Sequence, residues 1–190
     1  FITNKDNSDG SEVKVVIISK AASEGLDFAN VRQVHILEPW YNLNRIEQII
    51  GRGVRNLSHC RLPFKKRNVE LYLYSFKPIV RDKRKYETAD MYVYRLAEKK
   101  AKLIGNVTRL LKENSIDCYL NIAQTNLSME KFEELSKNSK VDIELSSGKE
   151  IKYTIGDRPF SSVCDYMDNC NYSCRTDDKI DEDKLISSSY

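Results

Sequence analysis

The chain has 190 residues, 41% of them hydrophobic and 31% charged, with a net charge of +3 at pH 7. That is enough apolar matter for the core of one large domain or two small ones. Its longest apolar runs, VVII at 15–18 and LYLY at 71–74, fall far short of the ~18–20 residues of a membrane-spanning helix, and nothing resembles a signal peptide, so no membrane partner is expected. The charge is unevenly spread. Between 61 and 114 fifteen Lys or Arg stand against six Asp or Glu, and the remainder is net acidic, including DDKIDED at 177–183. A basic segment in a near-neutral chain predicts either a polyanionic partner or a helix whose Lys and Arg simply solvate its outer face. Five cysteines, an odd number with Cys60 and Cys118 isolated, argue against a disulfide framework and for a reducing compartment.

In chain order, the opening FITNKDNSDGSE is polar, lacks an initiating Met and reads as a continuation of a longer polypeptide. VKVVIIS (13–19) is a β-branched run that predicts a buried parallel strand, and VRQVHIL (31–37) predicts a second. Residues 42–57 predict a helix with Leu43, Ile46, Ile49 and Ile50 on one face. VELYLYSF (69–76) is a third strand. Strand, strand, helix, strand is α/β logic with a parallel sheet. From 86 to 114 the period lengthens: Val93, Ala97, Ala101, Ile104, Val107 and Leu111 mark one face of a long helix, capped by Thr88 and weakened at Gly105. SMEKFEELSK (128–137) predicts a helix capped by Ser128. DIELSS and EIKYTIG predict a hairpin about Ser147-Gly148. A Cys-containing loop and a tail that reads as disordered complete the chain. The expected division is 1–85, 86–121 and 122–190. His35 is expected to pack rather than act in catalysis, and Trp40 to anchor the loop after the second strand, with nucleic-acid stacking as the alternative.

The stretch IEQIIGRGVRNLSH (46–59) places Arg52 and Arg55 about one turn apart, with Gln48 one turn before Arg52. Gly51 and Gly53 each cost a helix about 1 kcal/mol relative to Ala, so their presence demands a reason. SKAASEGLDF (19–28) follows a predicted strand, where α/β sheets place phosphate or nucleic-acid contacts. EGLDF resembles motif V of superfamily-2 helicases, and QIIGRGVR resembles motif VI, whose pattern is Q-x-x-G-R-x-x-R. With EPWYNLNRIEQ between them and GRGVRNLSHCRLP, ETADMYVYRLAEKK and LLKENSIDC following, residues 13–121 resemble the second RecA-like domain of helicases and early-transcription ATPases of large nucleocytoplasmic DNA viruses (poxvirus, asfarvirus and mimivirus relatives).

The resemblance implies an α/β fold. A partial RecA-like parallel sheet carrying motifs V and VI (1–85) would be followed by a long helix (86–121) and a small α+β Cys-containing region (122–190). It implies that Arg52 and Arg55 act as arginine fingers on the γ-phosphate of ATP, with Gln48 turned toward the nucleotide. Gly25 and Asp27, with Ser23, would couple the nucleic-acid backbone to that site, and Gly51 would allow close backbone approach. A Walker A GK[ST] loop and an acidic Mg²⁺ motif are absent from this sequence. The expectation is therefore the C-terminal part of a longer ATP- and Mg²⁺-using enzyme, inactive alone and partnered by an N-terminal RecA-like domain of the same protein. Its nucleic acid is expected to be DNA rather than RNA, viral RNA polymerase is an expected partner, and the host cytoplasm or virion its location. The rival reading makes 86–190 a non-enzymatic docking platform for the viral transcription machinery. Finally, Cys164, Cys170 and Cys174 form C-x5-C-x3-C. They are candidate ligands of a structural Zn²⁺, with Cys118, Cys60, His59 or an Asp as the fourth ligand, and free thiols as the alternative.

Overall fold

The computed structural model describes residues 7, 9–19, 28–77, 87–125, 133–134 and 139–175, without the side chains of 123–125. It resolves into two compact units, one of residues 1–100 with 140–153, the other of 101–139 with 154–190.

The first unit is built on a βαβ element. Strand β1 (Gln33–Ile36) runs into helix α1 (Leu43–Gly53), which returns the chain to β2 (Glu70–Leu73). β2 lies parallel to β1, with Gln33 opposite Glu70 and His35 opposite Tyr72. Bonds from Glu70 N to the Arg32 carbonyl and from Tyr74 N to the Ile36 carbonyl extend the ladder at both ends. A parallel pair of this kind needs a long crossover, and α1 supplies it. Ile36 and Ile46 are buried from either side. Gly53 sits where a Cβ would come 2.9 Å from Val34 Cγ2 and 3.3 Å from Val31 Cγ1. The helix therefore closes on the strand only because residue 53 has no side chain.

Two expectations change here. Residues 13–19 form no strand, and Val15 and Ile17 are 75% and 91% exposed. A parallel strand is stable only beside hydrogen-bonded neighbours; among the described residues the first sheet holds β1 and β2 alone, and the run 13–19 has no ladder to join. Helix α1 also ends at Gly53, not at 57. Val54 donates to the Ile50 carbonyl at 3.0 Å and then leaves helical dihedrals. Arg52 thus lies in the last turn and Arg55 beyond it.

A hairpin of β3 (Lys140–Glu144) and β4 (Glu150–Thr154) forms where the sequence predicts one, its turn closed by Gly148 N to Leu145 O at 2.9 Å with Gly148 at φ +81°. Residues 140–153 join the first unit through polar contacts. Asn68 Nδ2 donates to the Glu144 carbonyl at 3.0 Å, and Lys65 and Lys66 pair with Glu150 and Glu144.

Helix α2 (Ala89–Glu113) is continuous through Gly105. Thr88 caps it as expected, its hydroxyl accepting from Met91 N at 3.3 Å. In the second unit the Cys-containing loop folds on the far half of α2. A Cβ on Gly105 would stand 1.9 Å from the Asp165 carbonyl oxygen. Arg109, 7% exposed, is the hub. Its guanidinium donates to Asp165 Oδ2 at 2.8 Å and to the carbonyls of Asn171, Cys164 and Asn169 at 2.7, 3.0 and 3.1 Å. Lys112 takes the other Asp165 oxygen at 2.6 Å. Helix α3 (Cys118–Thr125) follows. The predicted helix at 128–137 lies almost wholly outside the described residues.

The zinc reading of Cys164, Cys170 and Cys174 is corrected. Cys164 is joined to Cys170, and Cys174 to Cys118, as disulfides. Metal binding needs thiolates, and a sulfur in a disulfide is not one. Among the described residues no group of three or more His, Cys, Asp or Glu could hold a metal ion. Four of the five cysteines are therefore paired, with Cys60 free and exposed, against the expectation of reduced thiols.

Candidate functional site

The candidate site gathers at the end of α1. Gln48 and Arg52 are four residues apart, so the helix brings them to one face; Gln48 is exposed and Arg52 half-buried. Arg52 is the basic residue of the last turn, where a cation is favoured by the helix dipole. Among the described residues an added Cβ at Gly51 would meet nothing within 4 Å. Among the described residues the close approach is made at Gly53.

Arg55 is exposed in the turn after the helix. Its backbone is held by one residue: Ser58 Oγ accepts from Arg55 N at 3.2 Å and donates to the Arg55 carbonyl at 2.8 Å. Leu57, at φ +62°, makes the reversal that brings Ser58 back. His59 Nδ1 lies 2.8 Å from the same hydroxyl, and His59 Nε2 donates to the Val31 carbonyl at 2.6 Å. Asn30 N donates to the Ser58 carbonyl at 3.0 Å. The sequence pattern gives Ser58 no role and makes His59 only a candidate fourth zinc ligand. The available signal was a Ser three residues after an Arg at a helix end, a common side-chain-to-backbone turn.

The β1–α1 loop carries a second feature. Trp40 stacks on Tyr41 with centroids 4.8 Å apart, and the Arg45 guanidinium lies 4.1 Å over the Trp40 ring. Lys100 Nζ lies 4.8 Å over Tyr41 and donates to Asn42 Oδ1 at 3.4 Å. Trp40 anchors this loop, as expected. His35 is not packed inside; it is exposed on the sheet face, stacked on Tyr72 at 4.6 Å and bonded to Tyr74 Oη at 2.9 Å. Ser23, Gly25 and Asp27 lie outside the described residues. What the described part can offer an anion is the guanidinium groups of Arg52 and Arg55 and the amide of Gln48.

A family model described as the helicase conserved C-terminal domain matches residues 3–56. Residues 3–56 are thus similar to a helicase C-terminal segment. The matched segment contains β1, all of α1, Gln48, Arg52 and Arg55. Two relatives from Acanthamoeba polyphaga mimivirus bear the name "Putative ATP-dependent RNA helicase". One, R350, is 39% identical over 63% of this chain and 15% of its own length. The other, L377, is 30% identical over 98% of this chain and 14% of its own. The African swine fever virus "Termination factor NPH-I homolog" is 33% identical over 60% of this chain and 17% of its own length. The chain thus spans roughly an eighth to a quarter of the length of the curated relatives it matches. No solved structure matches it.

Proposed function

We propose that this chain is the C-terminal portion of a superfamily-2, nucleic-acid-dependent ATPase of viral type, and that it supplies motif VI. Arg52 and Arg55 neutralise charge that builds on the γ-phosphate of ATP during transfer, and Gln48 helps orient the reactants. Ser23, Gly25 and Asp27 couple that site to the nucleic-acid backbone. The reading is supported by the helicase match over 3–56 and by the names of the relatives. The observation that carries it is the placement of two arginines at one helix end, the second fixed by a backbone latch. Bound Mg²⁺ would shield the phosphates. The phosphate-cradling loop and the carboxylate that holds Mg²⁺ belong to the partner RecA-like domain, so the isolated chain is expected to be inactive.

The chemistry needs little from these residues beyond placed positive charge. Guanidinium is planar, permanently charged and forked, which suits phosphoryl oxygens better than a point ammonium. Its stabilisation operates where the two domains close and exclude water. In the full-length ATPase with saturating DNA, Arg55→Ala is expected to lower kcat by about 10³–10⁵ while leaving the nucleotide Kd nearly unchanged. Retention of more than about a tenth of kcat would remove Arg55 from this role. We propose DNA as the stimulating polymer; stronger stimulation by RNA in the same assay overturns that part. The docking-platform reading, with the viral transcription machinery as partner, keeps one observation in its favour. Leu103, Ile104, Val107 and Leu111 of α2 are 57–67% exposed along one side of the helix.

A further inference from the structure

We propose that Ser58 and His59 are positioning residues for Arg55, tying its backbone to the start of β1 so that its guanidinium is presented at a fixed place. The proposal rests on the arginine-finger reading above. The helix does not need this latch. The α1 C-terminus is already closed by Val54 N on the Ile50 carbonyl, and Arg55 stands two residues past the helix. What the latch satisfies is both backbone polar groups of Arg55, through Ser58 Oγ and through Ser58 N on the Arg55 carbonyl at 3.1 Å.

The latch is then grounded on the strand side. Ser58 receives Asn30 N on its carbonyl, and His59 Nε2 donates to the Val31 carbonyl while His59 Nδ1 faces the Ser58 hydroxyl. Ser58 and His59 are half-buried, whereas Arg55 is exposed. Rigid, sheltered groups thus carry a presented side chain. Placement matters because an error of about 1 Å at a reacting centre can cost on the order of 10²-fold in rate. A side chain on an untied turn would first have to be ordered, at the expense of its contact with the phosphate.

The test uses the full-length ATPase with saturating nucleic acid. It measures kcat, KM for ATP and thermal midpoint for Ser58→Ala, Ser58→Thr, His59→Phe and Arg55→Ala, and for each latch variant combined with Arg55→Ala. Ser58→Ala is expected to lower kcat about 10- to 100-fold with KM within about 3-fold, and Ser58→Thr, which keeps the hydroxyl, to restore most of the rate. His59→Phe keeps a ring and loses both nitrogens; it should reproduce the kcat loss, and it carries the test alone if Ser58→Ala does not fold. In the Arg55→Ala background neither latch variant should cost anything further, because residues acting as a unit are not additive. A purely structural role would instead show additive losses there, a shifted KM and no rescue by Thr, and any of these overturns the proposal. Wild-type kcat in both latch variants while Arg55→Ala is inactive overturns the positioning role alone. A near-wild-type rate for Arg55→Ala overturns the finger reading itself.

Discussion

Glu70 shows how a single side chain ties distant sequence together. Its carboxylate accepts from the Ser146 hydroxyl, from Ser146 N at 2.8 Å and from Tyr72 Oη at 3.1 Å. The Ser146 hydroxyl bond is the largest influence on it and holds the carboxyl below its ordinary range, and the Tyr72 phenol is raised in return. A depressed folded-state pKa contributes stability above the unfolded-state value, and that contribution is lost as pH falls through the folded value. The contact between the β3–β4 turn and β2 should therefore loosen below about pH 4. The amide shift of Ser146, followed by NMR, should titrate in that range and stay flat in Glu70→Gln; a flat profile in the unaltered chain would contradict the assignment. None of this was legible in the sequence, since 76 residues separate Glu70 from Ser146. Gln48, Arg52 and Arg55, by contrast, were found at once, because their spacing is local and their pattern dense. The latch role of Ser58 and His59 was not legible, because a latch is visible only when the carbonyl at Val31 is known to lie beside it.

At the scale of elements, periodicity located α1, α2 and the hairpin, a β-branched run located β1, and an alternating aromatic run located β2. Failures occurred where a neighbour decides the outcome. The run 13–19 has a strand's composition and no ladder. Cys164, Cys170 and Cys174 have a plausible ligand spacing, and pairing with Cys118 across 56 residues is invisible to spacing. Gly105 was read as a weak point in a helix, yet it is a contact. Elsewhere in a helix Gly→Ala gains about 1 kcal/mol. Here the new Cβ would collide with a backbone carbonyl at 1.9 Å, which no side-chain rotation relieves. Gly105→Ala is therefore expected to destabilise the second unit by roughly 1–3 kcal/mol, read as a lower thermal midpoint. Arg109→Ala leaves Asp165, 3% exposed, short of its main partner and should cost more, about 3–5 kcal/mol. An unchanged or raised midpoint for Gly105→Ala would mean that the loop does not sit on α2 as described.

At the scale of the whole molecule the charge balance makes its own prediction. The basic surplus between 61 and 114 is smaller in effect than the count suggests. Lys65, Lys66, Arg95, Arg109 and Lys112 are each within 3.2 Å of a carboxylate oxygen. Arg109 and Lys112 share a buried Asp165, so they cannot serve a polyanion without dismantling the second unit. Arg61, Lys77 and Lys99 are exposed basic residues of the same segment. Neutralising Z phosphates releases counterions and gives log K a slope of about −0.9Z against log salt on duplex DNA. With about 4–6 such contacts the slope should be near −4 to −5, so affinity for a short duplex falls by about 10²–10³ from ~50 to ~200 mM salt. Fluorescence anisotropy of a labelled duplex titrated with this chain measures the slope directly. Lys99→Ala should reduce its magnitude by about one contact, weakening all sequences alike, while Lys112→Ala should leave it unchanged and lower the thermal midpoint instead. Binding indifferent to salt over that range would assign the basic segment to a protein partner, and with it favour the docking reading of α2.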